Sequence, residues 1–402
     1  MTPGPFLPTV AMLGVMSIAS LGVFAVAVCA PEAAPDLGLP TTLIGVYSAL
    51  VYGVAMFAGT QTGPLIERYG VIRVNQFTVL LAAAAMLVFA LGTPLAALAS
   101  ALLLGCAYGQ CNPASAHVLI HLGQPRWRPL IFSIKQTGVP LGGVLAGLLL
   151  PPLIDGFDWP LALGTAAGLS LLVLLPLLPL RAAFDDREPR SRHLRLRLSL
   201  RAPVRQVLDT PALRGATLAA LVYSGAQLSV GAYFVVYLVE DLGLPLVLAG
   251  AVFAAIQIGG VGGRLLWGAL AGRLGAWRLL GLIGLVTTAS LLITALLLAP
   301  DWPRWLLLGF GGVLGASSFG WNGVFMAEVA ALAPSGRVSQ ATGAAQFFIY
   351  GGVVLLPPAF GLLVGLSGAY APVFGLLALL VGGASLYFLL APTGCRADSS
   401  PA

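Results

Sequence analysis

A succession of twelve apolar runs, most of them about 20 residues or longer, constrains the fold of this chain more than any other feature. One helix needs about 20 mostly apolar residues to cross the hydrocarbon layer of a membrane. The runs are too long for barrel strands and do not alternate, so they predict helices. We number them span one to span twelve: 6–30, 41–62, 74–91, 95–121, 129–152, 159–180, 214–238, 246–267, 279–299, 304–330, 340–365 and 370–391.

The shortage of charge excludes the other classes of chain. Only 8% of the 402 residues are charged and 58% are hydrophobic, whereas an average soluble domain has about 25% charged residues. No phosphate-binding GxxxxGK[ST] loop and no nucleophile–base–acid set is found, which disfavours ATP-driven transport and an enzyme. The four cysteines are scattered without a histidine cluster, so neither a metal nor a cofactor is predicted.

Basic residues fix the expected orientation. If both termini are cytoplasmic, nearly all arginines outside the spans fall on the cytoplasmic side, and the outer loops hold only Arg304. This is the positive-inside pattern. The net charge of +6 therefore reflects membrane topology and not nucleic-acid binding. We expect a multi-pass protein of a bacterial inner membrane, with the lipid bilayer as its surroundings.

The chain contains an internal repeat. Asp36–Pro40 reads DLGLP and recurs at Asp241–Pro245, an offset of 205 that also pairs Gly45 with Gly250. Further along, an offset of 210 pairs Asn112 with Asn322 and Gln136 with Gln346. The order of spans is the same in both copies, as in transporters built from parallel six-helix halves. We predict an N-terminal half at 1–180, a cytoplasmic linker at 181–212 and a C-terminal half at 213–402.

The loop after span two reads GPLIERYGVIR at Gly63–Arg73: a glycine, three residues, an acid, an arginine, one residue, a glycine and then a base. The pattern recurs after span eight at Gly268–Arg278, with Gly272 in place of the acid Glu67. It resembles the signature loop of the major facilitator superfamily, and the resemblance covers essentially the whole chain. It implies twelve transmembrane helices in two parallel six-helix repeats, and secondary transport by alternating access about a midplane site. We interpret the loop residues as a conformational latch: Gly63, Glu67, Arg68, Gly70, Arg73, Gly268, Arg273, Gly275 and Arg278.

Two cations fall inside predicted spans, where ionisable residues are costly and often functional. Lys135, on span five, either snorkels to the headgroups or faces a cavity as a cation for an anionic substrate. Arg264, on span eight, either bonds neighbouring carbonyls or binds a carboxylate through its planar guanidinium. Monocarboxylate carriers and oxalate–formate exchangers place a substrate-binding arginine on this helix, and Arg264–Gly268 resembles that arrangement.

No acid is predicted deep in a span, since Glu67 and Glu328 fall near cytoplasmic ends. Deep positive charges without deep negative ones favour an anionic substrate. Uncharged polar residues in the spans either complete its site or make hydrogen bonds between helices. They are Gln110, Asn112, Gln136, Tyr223, Gln227, Gln257, Asn322, Gln346 and Tyr350.

These patterns predict a monomeric secondary transporter for a small organic anion such as a monocarboxylate. Proton symport and anion exchange both remain open, and a coupled proton could travel on the substrate. One alternative is an efflux pump for hydrophobic drug-like compounds, with an apolar, aromatic cavity that tolerates changes at Arg264. Another is a membrane sensor or scaffold that transports nothing.

Overall fold

The computed structural model describes residues 4, 6–119, 134–185, 205, 207–209, 211–332 and 338–390. Within them, eleven helices are long and apolar enough to cross a membrane. They correspond to spans one to nine, eleven and twelve: Phe6–Leu37, Thr41–Thr60 (which begins with a 3-10 turn), Val71–Phe89, Pro94–Leu119, Ile134–Gly156, Trp159–Leu177, Pro211–Glu240, Leu246–Leu274, Ala276–Leu296, Ala345–Ser367 and Tyr370–Leu390.

Span ten is the remaining predicted span, and it is divided. One helix covers Arg304–Ser318 and a second covers Asn322–Leu332, with a turn between them. Neither part alone is long enough to cross the membrane. With this span included, the structure confirms an all-α fold of twelve transmembrane helices.

Several bounds differ from those predicted. Span one continues to Leu37 although Pro31 and Pro35 lie inside it, and span eight continues to Leu274. A short helix at Thr62–Tyr69 separates spans two and three. Spans one and eight thus extend past their apolar runs, because hydrophobicity marks the membrane-embedded part of a helix and not its ends.

The described residues form two compact units. Unit 1 comprises residues 1–198 together with Pro245–Ala254, and unit 2 comprises Ser199–Leu244 together with residues 255–402. In unit 1, span one packs against span five and span three against span six. In unit 2, span seven packs against span eleven and span nine against span twelve, which are the repeat-related pairs.

Small residues allow these helices to approach closely. A Cβ on Gly142 of span five would overlap the backbone of span one at Ser17, and one on Gly352 of span eleven would overlap Leu221 O of span seven. In lipid, helices associate largely through such close packing of small residues. Large apolar side chains remain exposed on the outside, for example Leu265 at 68% and Leu379 at 69%, as expected of surfaces that face lipid.

Candidate functional site

In unit 1, Lys135 lies in the first turn of span five with 2% of its surface exposed. Its Nζ donates a hydrogen bond to Oδ1 of Asn112 on span four, 2.5 Å away. Among the residues that the structure describes, no carboxylate is within ion-pair distance of this ammonium. A snorkelling lysine keeps its ammonium in water, whereas this one is covered and held by a neutral amide.

The other predicted residues of unit 1 are arranged differently. Gln110 is 5% exposed, and its Oε1 is buried without a hydrogen-bond partner in the described part of the chain. Gln136 follows Lys135 but is exposed. The structure therefore brings Asn112 and Lys135 together and leaves Gln136 on the surface of the unit.

In unit 2, two side chains of span eight bind carbonyl groups at the break in span ten. Arg264 Nε donates to Phe319 O at 3.2 Å, and Trp267 Nε1 donates to Ala316 O at 2.7 Å. A Cβ on Gly320 would overlap both Ala316 O and the ring of Trp267, so this turn requires glycine. Span eight thus stabilises the interrupted backbone and holds the half-buried Arg264 beside it.

Gln227 of span seven connects to the other side of the same break. Its Oε1 accepts hydrogen bonds from Trp321 Nε1 at 3.0 Å and from Asn322 Nδ2 at 3.1 Å. Tyr223, one turn away, packs edge to face on Trp321 with centroids 5.6 Å apart and donates its hydroxyl to Leu280 O. Of the predicted residues, Gln227 and Asn322 are in direct contact, while Tyr223 packs on the indole that donates to Gln227.

Three more predicted residues lie in this unit. Gln257 of span eight is 0% exposed, and neither Nε2 nor Oε1 has a hydrogen-bond partner among the described residues. Gln346 and Tyr350 of span eleven are half-buried. Gln257 is therefore the most deeply buried of the predicted polar residues in unit 2.

Sequence reasoning gave too little weight to Glu328. Its side chain is 2% exposed in the second part of span ten, although its position near the end of the span had suggested a headgroup-level residue. Trp267 and Trp321 were also missed, since tryptophan in a span ordinarily indicates packing. A signal existed at Trp321, because it stands directly before the predicted Asn322.

At the loop after span two, the carboxylate that caps span three belongs to Asp185. It accepts hydrogen bonds from the backbone N–H groups of Ile72 at 2.7 Å and Arg73 at 3.2 Å. Burial raises the pKa of Asp185, and the two hydrogen bonds and the charges of Arg73 and Arg181 oppose that shift. The partial positive charge of a helix N-terminus also favours the charged form and so acts in the same direction as these hydrogen bonds.

The rest of the predicted latch is placed as follows. Gly70 has φ 97° and Gly275 has φ 78°, a conformation that favours glycine, and each immediately precedes a span. Arg68 lies with its guanidinium carbon 5.3 Å from the ring centroid of Tyr69. The remaining members are exposed or half-buried at the ends of their helices: Gly63, Glu67, Arg73, Gly268, Arg273 and Arg278.

No group of three or more His, Cys, Asp or Glu side chains in the described ranges is arranged to hold a metal ion. The possible ligands for a small molecule are instead cations, amides and indoles. Such a set can bind an anion and orient it by hydrogen bonds.

Comparisons with known proteins agree with this architecture. The family model described as Major Facilitator Superfamily matches residues 11–355. No curated protein matches the sequence significantly. Among solved structures, a peptide transporter, POT, in complex with sulfate has a TM-score of 0.74 at 17% identity, covering 97% of this chain and 95% of that one. A bacterial homologue of the human lysosomal transporter Spinster, inward-facing and occupied, has a TM-score of 0.75 at 15% identity and 98% coverage of both chains.

Proposed function

Since the chain belongs to the major facilitator superfamily and is therefore a secondary transporter and not an enzyme, we propose that it moves a small organic anion, such as a monocarboxylate. It does so by alternating access, as a monomer, in the inner membrane of a bacterium with both termini cytoplasmic. The energy source is proton symport or exchange for another anion.

The observation that carries this proposal is the environment of Lys135. A buried ammonium is costly unless an opposite charge or several hydrogen bonds compensate it, and among the described residues Asn112 Oδ1 supplies a single neutral acceptor. A bound carboxylate would supply the missing negative charge. The same argument disfavours cationic substrates, because a second positive charge would repel this ammonium.

Arg264 supports the proposal from unit 2. Its Nε is held by Phe319 O, which fixes the position of a guanidinium that carries five N–H donors in one plane. Transporters commonly bind substrates where helices are interrupted near the bilayer midplane. We propose that Arg264 binds the substrate carboxylate beside the break in span ten.

The alternative of hydrophobic efflux requires aromatic side chains that are available to a ligand. In unit 2, a group of aromatic rings instead packs on itself: Tyr233 stacks on Phe360 at 4.8 Å, and Phe374 lies 4.9 Å from Phe360. Tyr233 and Phe374 are completely buried. These rings belong to the core of unit 2 and are not available to a hydrophobic ligand, so the arrangement favours the anion proposal over efflux.

Binding by purified, full-length protein tests the proposal. The probes are acetate, propionate, butyrate and valerate, with the corresponding alcohols and amines as neutral and cationic controls. We expect the carboxylates alone to raise the melting temperature. The shift should disappear in Lys135→Gln and Arg264→Gln, because each loses a cation, and should persist in Arg278→Gln, which loses an exposed charge at a helix end.

Two results would contradict the proposal. Unchanged carboxylate binding in both Lys135→Gln and Arg264→Gln would remove its basis, and stabilisation by hydrophobic alcohols alone would favour efflux. Uptake into liposomes under a pH gradient then separates symport from exchange. We propose that a coupled proton travels on the substrate carboxyl, in which case Glu328→Gln retains pH-driven uptake.

A further inference from the structure

The amide of Gln257 has no partner in the described part of the chain, although it is completely buried near the middle of span eight. Neither its Nε2 nor its Oε1 forms a hydrogen bond to any described residue. Buried side-chain amides in native proteins are nearly always hydrogen-bonded. Gln227, which is also buried in unit 2, follows that rule, because its Oε1 accepts two hydrogen bonds.

The repeat shows that an amide is not a shared feature of this position. The offset of 205 pairs Gln257 with Tyr52 of span two. Tyr52 packs edge to face on Tyr108, with centroids 5.1 Å apart. An aromatic pair therefore fills the corresponding place in unit 1, whereas the second copy has an amide with no hydrogen-bond partner among the described residues.

Gln257 and Arg264 share one side of span eight. Seven residues separate them, which places them about 20° apart around the helix and about 10.5 Å apart along it. The arginine side chain shortens this distance, since its Nε contacts Phe319 O while the Cβ of Phe319 lies against Gly260. Gly260 is one turn closer to Gln257 and lies about 5 Å from it along the axis, so the guanidinium reaches back along span eight toward Gln257.

We infer that Gln257 determines specificity by hydrogen-bonding a second polar group of the substrate whose carboxylate binds Arg264. This inference rests on the proposed function and adds a substrate class to it. An amide offers one acceptor oxygen and two donor hydrogens. A terminal hydroxyl or carboxamide can both donate to it and accept from it, whereas an alkyl chain can do neither. The substrate is thus a short carboxylate with a hydroxyl or carboxamide three or four carbons along.

Matched acids test this inference on the purified, full-length protein. Valerate and 4-hydroxybutyrate have the same number of heavy atoms and differ in a terminal methyl or hydroxyl, and succinamate carries a terminal carboxamide. We expect wild type to bind the two polar acids about tenfold more tightly than valerate, the scale of one buried hydrogen bond. Gln257→Met should remove that preference, so that the three acids bind with similar affinity.

Two further variants control for folding and for position. Gln257→Asn retains an amide on a shorter side chain and should keep part of the preference, with a melting temperature near that of wild type. Gln61→Met removes an amide at the end of span two and should keep the full preference.

Each other result overturns the inference in a distinguishable way. An equal preference in wild type and Gln257→Met, with both classes of acid bound, means that an internal water satisfies Gln257 and that the anion site alone stands. Absence of binding of all three acids to wild type overturns the proposed function and this inference together.

Discussion

Span two of unit 1 and span eight of unit 2 are repeat-related helices that share one packing contact and differ in chemistry. In unit 1, a Cβ on Gly105 of span four would overlap Val51 O of span two. In unit 2, a Cβ on Gly315 of span ten would overlap Ile256 O of span eight. The offsets of 205 and 210 make these the same pair of positions, so close backbone packing was retained in both copies.

The copies differ two helical turns further along spans two and eight, and one turn further along spans four and ten. In unit 1, Gly59 lies against the carbonyl oxygen of Gly109, and span four continues unbroken to Leu119. At the equivalent positions of unit 2, Arg264 donates to Phe319 O and span ten is interrupted. Replacing a glycine contact with a guanidinium thus coincides with the loss of a continuous helix.

Lys135 is the opposite case, a cation found in the first copy alone. Its repeat equivalent is Ala345, which is 0% exposed. Each unit therefore holds one membrane cation that the other lacks. Residues that the two copies share therefore maintain the fold, and residues that differ between the copies are the first candidates for function.

The largest effect is expected at the shared contact. Gly315→Ala and Gly105→Ala should each lower the free energy of unfolding by about 3 kcal/mol, because the added methyl group meets backbone that cannot move without separating two helices. Thermal or denaturant unfolding in detergent measures this loss. Gly312→Ala is the matched control, since its Cβ would meet nothing within 4 Å. Equal effects at Gly315 and Gly312 would refute the packing argument.

Removing Lys135, the cation found in unit 1 alone, should stabilise the protein and abolish its function. Lys135→Met keeps the length of the side chain and removes the buried charge, so it should raise the free energy of unfolding by about 2 kcal/mol while abolishing carboxylate binding. Lys135→Arg, which keeps the charge, should retain measurable binding. A Lys135→Met protein that is less stable than wild type would show that the ammonium is structural.

Sequence alone gave the twelve spans because each is a long apolar run with few competing interpretations. It did not give the break in span ten. That break depends on Gly320 fitting against Ala316 O. Because glycines are frequent in the spans of this chain, a glycine at this position did not indicate a break. Pro113 would have been the better guess for a break, yet it lies inside the continuous helix of span four.

For the candidate site, sequence gave residue types but not partners. The pairings of Lys135 with Asn112 and of Gln227 with Asn322 join different helices, so they depend on how each helix is rotated about its axis. A span that is apolar on all sides does not indicate that rotation. Asp185 was overlooked for the same reason. It is 113 residues from its partner Ile72, and an acid in a polar segment ordinarily indicates a solvated position.

The ends of spans one and seven offer a smaller test of symmetry. Asp36 accepts a hydrogen bond from Trp159 Nε1 at 2.7 Å, and its repeat equivalent Asp241 accepts one from Tyr370 N at 3.0 Å. Each acid thereby ties the end of the first helix of its half to the start of the sixth. Asp36→Ala and Asp241→Ala should each cost about 1.5 kcal/mol of unfolding free energy.

The two donors allow the comparison to be sharpened. Trp159→Phe removes the indole donor and keeps a ring, so it should make Asp36→Ala nearly neutral in a double-mutant cycle while leaving the effect of Asp241→Ala unchanged. If the cycle shows no coupling between Asp36 and Trp159, the hydrogen bond contributes nothing and the repeated acid has another role.

The smallest effect is expected at Asp185, whose carboxylate lies against Gly70 in unit 1, whereas nothing in the described residues lies within 4 Å of a Cβ on Gly275. Asp185→Ala should cost about 1 kcal/mol of unfolding free energy as the loss of a helix cap.

Because burial raises the pKa of Asp185 above its ordinary value of 3.8, the folded protein binds a proton there more readily than the unfolded chain. Stability attributable to this group is therefore greatest below the ordinary value and is lost as pH rises through the raised pKa. Wild type should gain stability relative to Asp185→Asn as the pH falls from neutral toward 4, as measured by melting temperatures of both proteins at each pH. The opposite slope would mean that hydrogen bonds from Ile72 and Arg73 outweigh burial.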